Sequence, residues 1–164
     1  MAARCSRQSR TDRLLVREST ATDVLYVAER LSIEDVAELV AATGLQPKDA
    51  LSLAHSQSDQ TWAGVLDGDV VVVGGALVDS EGLSANVWLL CLPGAKSAPR
   101  ELARAIRRRV NDLSDHHGLL WGYVDDRNET RKRWLKMLGF SMTDEVTRYE
   151  SFLKLPFRLF VNQT

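Results

Sequence analysis

The chain has 164 residues, with 21 Lys and Arg against 22 Asp and Glu for a formal net charge of −1. That length suits one domain with a full core, and the charge gives no overall field toward nucleic acid or membranes. Hydrophobic residues are 45% and charged residues 26% of the chain, which excludes a disordered composition, and the longest apolar run, residues 70–78 with Gly74 and Gly75 inside it, is far short of the ~20 residues of a membrane-spanning helix.

The N-terminus carries Arg4, Arg7, Arg10 and Arg13 without the apolar stretch of a secretory signal. Residues 1–12 read as a basic flexible arm and residues 13–164 as one folded domain. Leu14, Leu15 and Val16 then make a short strand. Ser19 or Thr20 can cap a helix running through Asp23 to Leu31, with Val24, Val27 and Leu31 at helical spacing. A second helix opens at Ser32 with Glu34 and Asp35 in its first turn, where acidic groups favour the helix dipole. It is expected to bury Val36, Leu39 and Val40 and to stop at Gly44. Pro47 starts a third short helix through His55.

From Gln60 the character changes to strands. Residues 61–66 and 70–78 flank Asp67-Gly68, a hairpin turn signal. After a turn over 80–84, residues 86–92 form the third strand of this meander, and Pro93-Gly94 breaks it. A long helix follows, with Pro99 in its first turn, Leu102, Ile106, Val110 and Leu113 as its apolar stripe, and Gly118 at its end. Residues 119–124 are a strand, 129–138 a helix closed by Gly139, and 140–146 and 152–160 two closing strands. A strand joined to its neighbour through a helix implies a parallel pair inside a mixed sheet. The expected fold class is therefore a single α/β domain with a mixed, mostly antiparallel twisted sheet and flanking helices.

The segment from Val124 to Phe140 carries Asn128 eleven residues before Gly139, with the helix between them closing on Leu138-Gly139-Phe140. In this spacing and in the element order the chain resembles the GNAT (N-acyltransferase) superfamily. That resemblance implies a Tyr four residues before the Gly as general acid, and here Leu135 stands at that place, with no proton to give. It also implies an acyl-CoA pyrophosphate loop, Gln/Arg-x-x-Gly-x-Gly/Ala, in which small residues let backbone N–H groups approach phosphate at a helix N-terminus. The chain offers Cys91-Leu92-Pro93-Gly94-Ala95-Lys96-Ser97-Ala98-Pro99. With Gly94 at the first glycine, Cys91 stands where Gln or Arg belongs and Lys96 where Gly or Ala belongs, and each proline removes a backbone donor. If acyl-CoA binding is retained, Gly94, Lys96, Ser97 and Asn128 are the residues to hold it. Otherwise Ser97 and Pro99 account for the helix start. A base for an attacking amine is missing from residues 86–92, and Asp79 and Glu81 read as solvated turn residues.

One branch of the superfamily shares these departures. The chain is similar to the GNAT-like internal virion protein A family of short-tailed phages in Val73-Gly74-Gly75, Val87-Trp88, Leu120-Trp121-Gly122-Tyr123-Val124, Trp134-Leu135-Lys136-Met137-Leu138-Gly139 and Glu145-Val146-Thr147-Arg148. The resemblance implies a non-catalytic phage protein of the host cytoplasm or virion, acting through other phage or virion proteins. The apolar run of Phe152, Leu153, Leu155, Pro156, Phe157, Leu159 and Phe160 is its candidate contact. The alternative is an acetyl-CoA-dependent N-acetyltransferase with a degenerate site.

Cys5 and Cys91 are not expected to pair, and no Cys/His spacing suits a metal. His116 and His117 are adjacent on a helix and point about 100° apart, so they cannot chelate one ion as an i, i+4 pair would. Arg100, Arg104, Arg107 and Arg108 with Arg127, Arg131, Lys132, Arg133 and Lys136 make two basic helix faces, which the basic N-terminal arm, if it joined them, would complete as a footprint for nucleic acid. Set against that is solvated surface balanced by Asp125, Asp126 and Glu129, without aromatic residues for base stacking.

Overall fold

The computed structural model describes residues 13–148 and 154–163; the expected basic arm, and Phe152 and Leu153 of the expected last strand, lie outside them. In chain order the elements are β1 (Leu14–Arg17), α1 (Ala21–Ala28), α2 (Ile33–Thr43), α3 (Pro47–Gln57), β2 (Gln60–Leu66), β3 (Asp69–Val78), β4 (Ser84–Cys91), α4 (Pro99–His117), β5 (Leu119–Asp125), α5 (Glu129–Met137), β6 (Ser141–Arg148) and β7 (Pro156–Gln163). The sheet order is β1-β2-β3-β4-β5-β7-β6, antiparallel throughout except for β4 beside β5. This is the single α/β domain with a mixed sheet that the element order implied.

Local signals place most boundaries. Thr20 Oγ1 accepts from the Asp23 amide while Asp23 Oδ2 accepts from the Thr20 amide, a complete capping box for α1. α1 stops at Ala28 rather than at the expected Leu31. Ser32 must already be extended (φ −64°, ψ 160°) for its hydroxyl to accept from the Asp35 amide and cap α2. Gly44 ends α2 at φ 71°, the left-handed geometry that favours glycine. Asp67 and Gly68 turn the β2–β3 hairpin with φ of 51° and 90°.

Gly74 and Gly75 in β3 have a packing reason. A Cβ on Gly74 would stand 2.7 Å from the Trp62 indole nitrogen, and one on Gly75 2.7 Å from that of Trp88. Trp62 and Trp88 are their cross-strand partners on β2 and β4, on opposite faces of the sheet. Each indole therefore lies across a glycine.

The helices divide between the two faces. α4 and α5 bury Leu102, Ile106, Val110, Leu113, Leu135 and Leu138 against Val72, Ala85, Val87, Leu120, Val124 and Phe160. α1 and α3 bury Val24, Val27 and Leu51 against Ala63, Val73 and Leu90 on the other face, with Leu39 of α2 packed beside them.

Candidate functional site

The parallel pair is short. Only Ser84, Asn86 and Ala85 of β4 register with Leu119, Trp121 and Leu120 of β5. Residues 87–91 and 122–125 continue both strands without a shared ladder, so the sheet is split. Gly122 marks where the strands part, since a Cβ there would meet the Val87 carbonyl oxygen at 2.7 Å. A cleft of about 1240 Å³ occupies the split, lined from α2, α3, β4, β5 and α5.

α2 reaches into this cleft in a way its sequence pattern conceals. The expectation was a helix burying Val36, Leu39 and Val40. Those three are half-buried, and the fully buried positions are Asp35, Glu38 and Ala41. The spacing of three residues puts both carboxylates on one stripe, and the stripe faces Arg131. This arginine comes from α5, on the opposite face of the sheet. It donates to Asp35 Oδ1 and, at 3.5 Å, to Glu38 Oε1. Glu38 Oε1 also accepts the Asp125 backbone amide at the end of β5, at 3.3 Å. The three side chains are 17%, 12% and 9% exposed. A buried ion network therefore passes through the split and ties the helices of one face to a helix of the other.

Its electrostatics follow from burial. Desolvation pushes the Glu38 carboxyl above its ordinary value, with the Arg131 charge and the Asp125 amide pulling the other way. Desolvation works to lower Arg131, and the Glu38 and Asp35 charges outweigh it, so the guanidinium is held charged. Glu38 Oε2 is buried with no hydrogen-bond partner. Cys91 at the end of β4 is pushed up to about 12 by desolvation, against the neighbouring Arg131 charge, so it is a neutral thiol rather than a nucleophile.

Of the residues expected to hold acyl-CoA, Gly94, Lys96 and Ser97 share one turn and Asn128 lies at the start of α5. Lys96 and Asn128 line the cleft, whereas Gly94 and Ser97 line a separate small hollow with Tyr26 and Arg30. The segment Pro93–Ser97 is a 3₁₀ turn. Its Ala95 amide is bonded to the Leu92 carbonyl, the following Ala98 amide to the Ala95 carbonyl, and Ser97 Oγ donates to the Gly94 carbonyl. Ser97 therefore does not cap α4 as expected. The cap position is Ala98, which has no side-chain acceptor, with Pro99 next as anticipated. Asn128 Oδ1 accepts the Arg131 amide as the cap of α5. The Ala95 and Ala98 amides and the Ser97 hydroxyl are thus engaged within the turn, and Pro93 and Pro99 have no amide to offer a phosphate.

Leu135 is 5% exposed and packed in the core. Trp134 lines the cleft half-buried, and Tyr123 donates to Glu145 Oε1 at 3.3 Å. Asp79 accepts from the Glu81 and Leu83 amides and from Ser84 Oγ, holding the turn before β4. His116 and His117 share hydrogen bonds with the Asp112 and Gly82 carbonyls. Among the described residues no group of His, Cys, Asp and Glu is arranged to hold a metal, and no helix is long and apolar enough to cross a membrane.

No protein-family profile matches the chain, and no curated protein matches it in sequence. Solved structures do. An acetyltransferase (GNAT family) from Bacillus anthracis superposes over 92% of this chain and 95% of its own, with TM-score 0.68 and 11% identity. AAC(6')-Ib in complex with ribostamycin and coenzyme A covers 93% and 94%, with TM-score 0.66 and 13% identity. The chain has the GNAT acetyltransferase fold. A spermidine N-acetyltransferase SpeG chimera from Vibrio cholerae and hSSAT covers 92% and 95% of the two chains, with TM-score 0.65 and 12% identity. On this GNAT frame the late Asn-to-Gly segment is β5–α5 and its closing turn, and Arg131, which the motif does not single out, is the residue that enters the split.

Proposed function

We propose that this chain is a non-catalytic GNAT-like protein that acts through contacts with other proteins. The observation that carries this reading is the Asp35–Arg131–Glu38 network across the β4–β5 split. Arg131 bonds both buried carboxylates inside the split, so a ligand that takes its place must break the set, and removing one partner of such a set costs about 3–5 kcal/mol. Two further features support it: Leu135 puts a hydrocarbon where a proton donor is expected, and the Ala95 and Ala98 amides and the Ser97 hydroxyl are bonded within the Pro93–Ser97 turn. The similarity to GNAT-like internal virion proteins of short-tailed phages makes a particle or an infection complex the setting. The sheet face formed by Trp121, Tyr123, Leu159 and Val161, all half-buried, joins part of the apolar C-terminal run as the proposed contact. Phe157 and Phe160 of that run belong to the interior, at 1% and 4% exposure.

The second reading is an acetyl-CoA-dependent N-acetyltransferase. The neighbours are acetyltransferases by description, and one specific feature favours it. Glu38 Oε2 is an unpartnered carboxylate oxygen on the cleft wall, raised by burial in the manner of a general base. Calorimetric titration with acetyl-CoA separates the readings. The proposal expects no saturable heat at millimolar ligand. Micromolar binding, with acetyl transfer to an amine that Glu38→Gln abolishes, would establish the enzyme instead.

A further inference from the structure

The charge of this molecule is segregated, although its sum is near zero. Of the five acidic side chains on helices α1, α2 and α3, Asp23, Asp35 and Glu38 are buried in ion pairs with Arg17 and Arg131, which leaves Glu34 and Asp49 exposed beside Lys48. Helices α4 and α5, packed side by side on the opposite face, carry nine basic and four acidic side chains. The surplus is not consumed locally. Arg100, Arg104, Arg107, Arg108, Arg133 and Lys136 are all exposed. Among the described residues none of the six forms an ion pair.

Three acids near these helices are engaged elsewhere. Asp125 pairs with Arg127, Asp126 with Lys132 and Arg158, and Glu129 with Lys132. Of the other acids on these helices, Glu101 stands beside the arginine stripe, and Asp112 and Asp115 continue its face toward the end of α4, with Asp112 one turn beyond Arg108. Successive positions 100, 104, 107 and 108 stay within about a 100° arc of the helix and span roughly 12 Å of its length.

We infer that the outer face of α4 and α5 is a docking surface for the phosphate backbone of double-stranded DNA. Duplex DNA presents one charge per about 1.7 Å of axis, so the arginine stripe alone faces about seven phosphate charges. Trp134, between Arg133 and Lys136 on α5, is half-buried against the cleft rather than displayed with them. The surface therefore reads backbone charge rather than stacked bases or sequence.

The test is fluorescence anisotropy of a labelled 20-base-pair duplex of arbitrary sequence, titrated with the full chain between 50 and 200 mM NaCl. With about four phosphate contacts the logarithmic salt slope is near −4, so affinity falls about 10²-fold over that range. The Arg104→Glu/Arg108→Glu variant loses at least tenfold at 50 mM and lowers the slope by about 2, while Arg104→Lys/Arg108→Lys keeps both. Circular dichroism and thermal unfolding report folding. Arg100→Gln/Arg133→Gln, one change on each helix, serves as a second and milder pair and also weakens binding. No binding at 50 mM, a slope near zero, or charge reversal without effect on a folded protein each overturns the inference. Equal competition by poly-glutamate would transfer the surface to an acidic protein and also overturn it.

Discussion

At the scale of single residues the molecule turns on Asp35, Glu38 and Arg131. Arg131→Met strands two buried carboxylates and is expected to cost about 3 kcal/mol, seen as a lower midpoint in chemical unfolding. Replacing all three with Asn, Gln and Met should recover most of that loss, because the cost is the unpaired charge and not a missing contact. Glu38→Gln alone keeps an acceptor for the Asp125 amide. Since the folded state holds the Glu38 proton to a higher pH than the unfolded chain does, its ionisation makes stability fall as pH rises above the ordinary carboxylate range. The Gln variant should lose that part of the pH dependence, measured by unfolding at several pH values. None of this was legible beforehand. Asp35 reads from sequence as a first-turn acid, and its partner Arg131 stands 96 residues away. No local pattern reports a contact made through a gap in the sheet.

At the scale of elements, capping and turn chemistry were readable because they are local. The Thr20–Asp23 box, Ser32, Gly44, Pro47 and Asp67-Gly68 all fall where short-range rules put them. Thr20→Ala should cost about 1 kcal/mol through loss of the α1 cap, checked by thermal unfolding. The Pro93–Ser97 segment was only half readable. Its departures from a phosphate loop are visible as Cys91 and Lys96, but Ser97 was assigned to the α4 cap and instead closes the 3₁₀ turn. The junction after β5 is tied down by Asp126, whose carboxyl is lowered to about 2, chiefly by the Arg158 guanidinium and then by Lys132. Its stabilisation is complete above about pH 4 and is lost as pH falls through about 2, with a size near 1–2 kcal/mol after allowance for solvent screening. Asp126→Asn should remove that acid dependence and lower stability at neutral pH by the same amount, in acid unfolding monitored by circular dichroism.

At the scale of the whole molecule the GNAT frame was legible from element order alone: a strand, helices, a three-stranded meander, a long helix, and a strand–helix–strand–strand close. That order fixes most neighbours because consecutive strands tend to pair and crossovers keep their hand, the exception being β7, which inserts between β5 and β6. The division of helices between faces was not legible, and it creates both the network through the split and the charge asymmetry. Val36, Leu39 and Val40 look like a core stripe. α2, however, lies over the mouth of a cleft and not over a continuous sheet, so the carboxylates turn inward.

The most direct measurement is a crystal structure of the protein soaked with acetyl-CoA at millimolar concentration. The account predicts that Arg131 stays bonded to Asp35 and Glu38 between β4 and β5, with no ordered coenzyme in the cleft. A diphosphate held by the backbone around Gly94 and Lys96, with Arg131 displaced from the split, would contradict it.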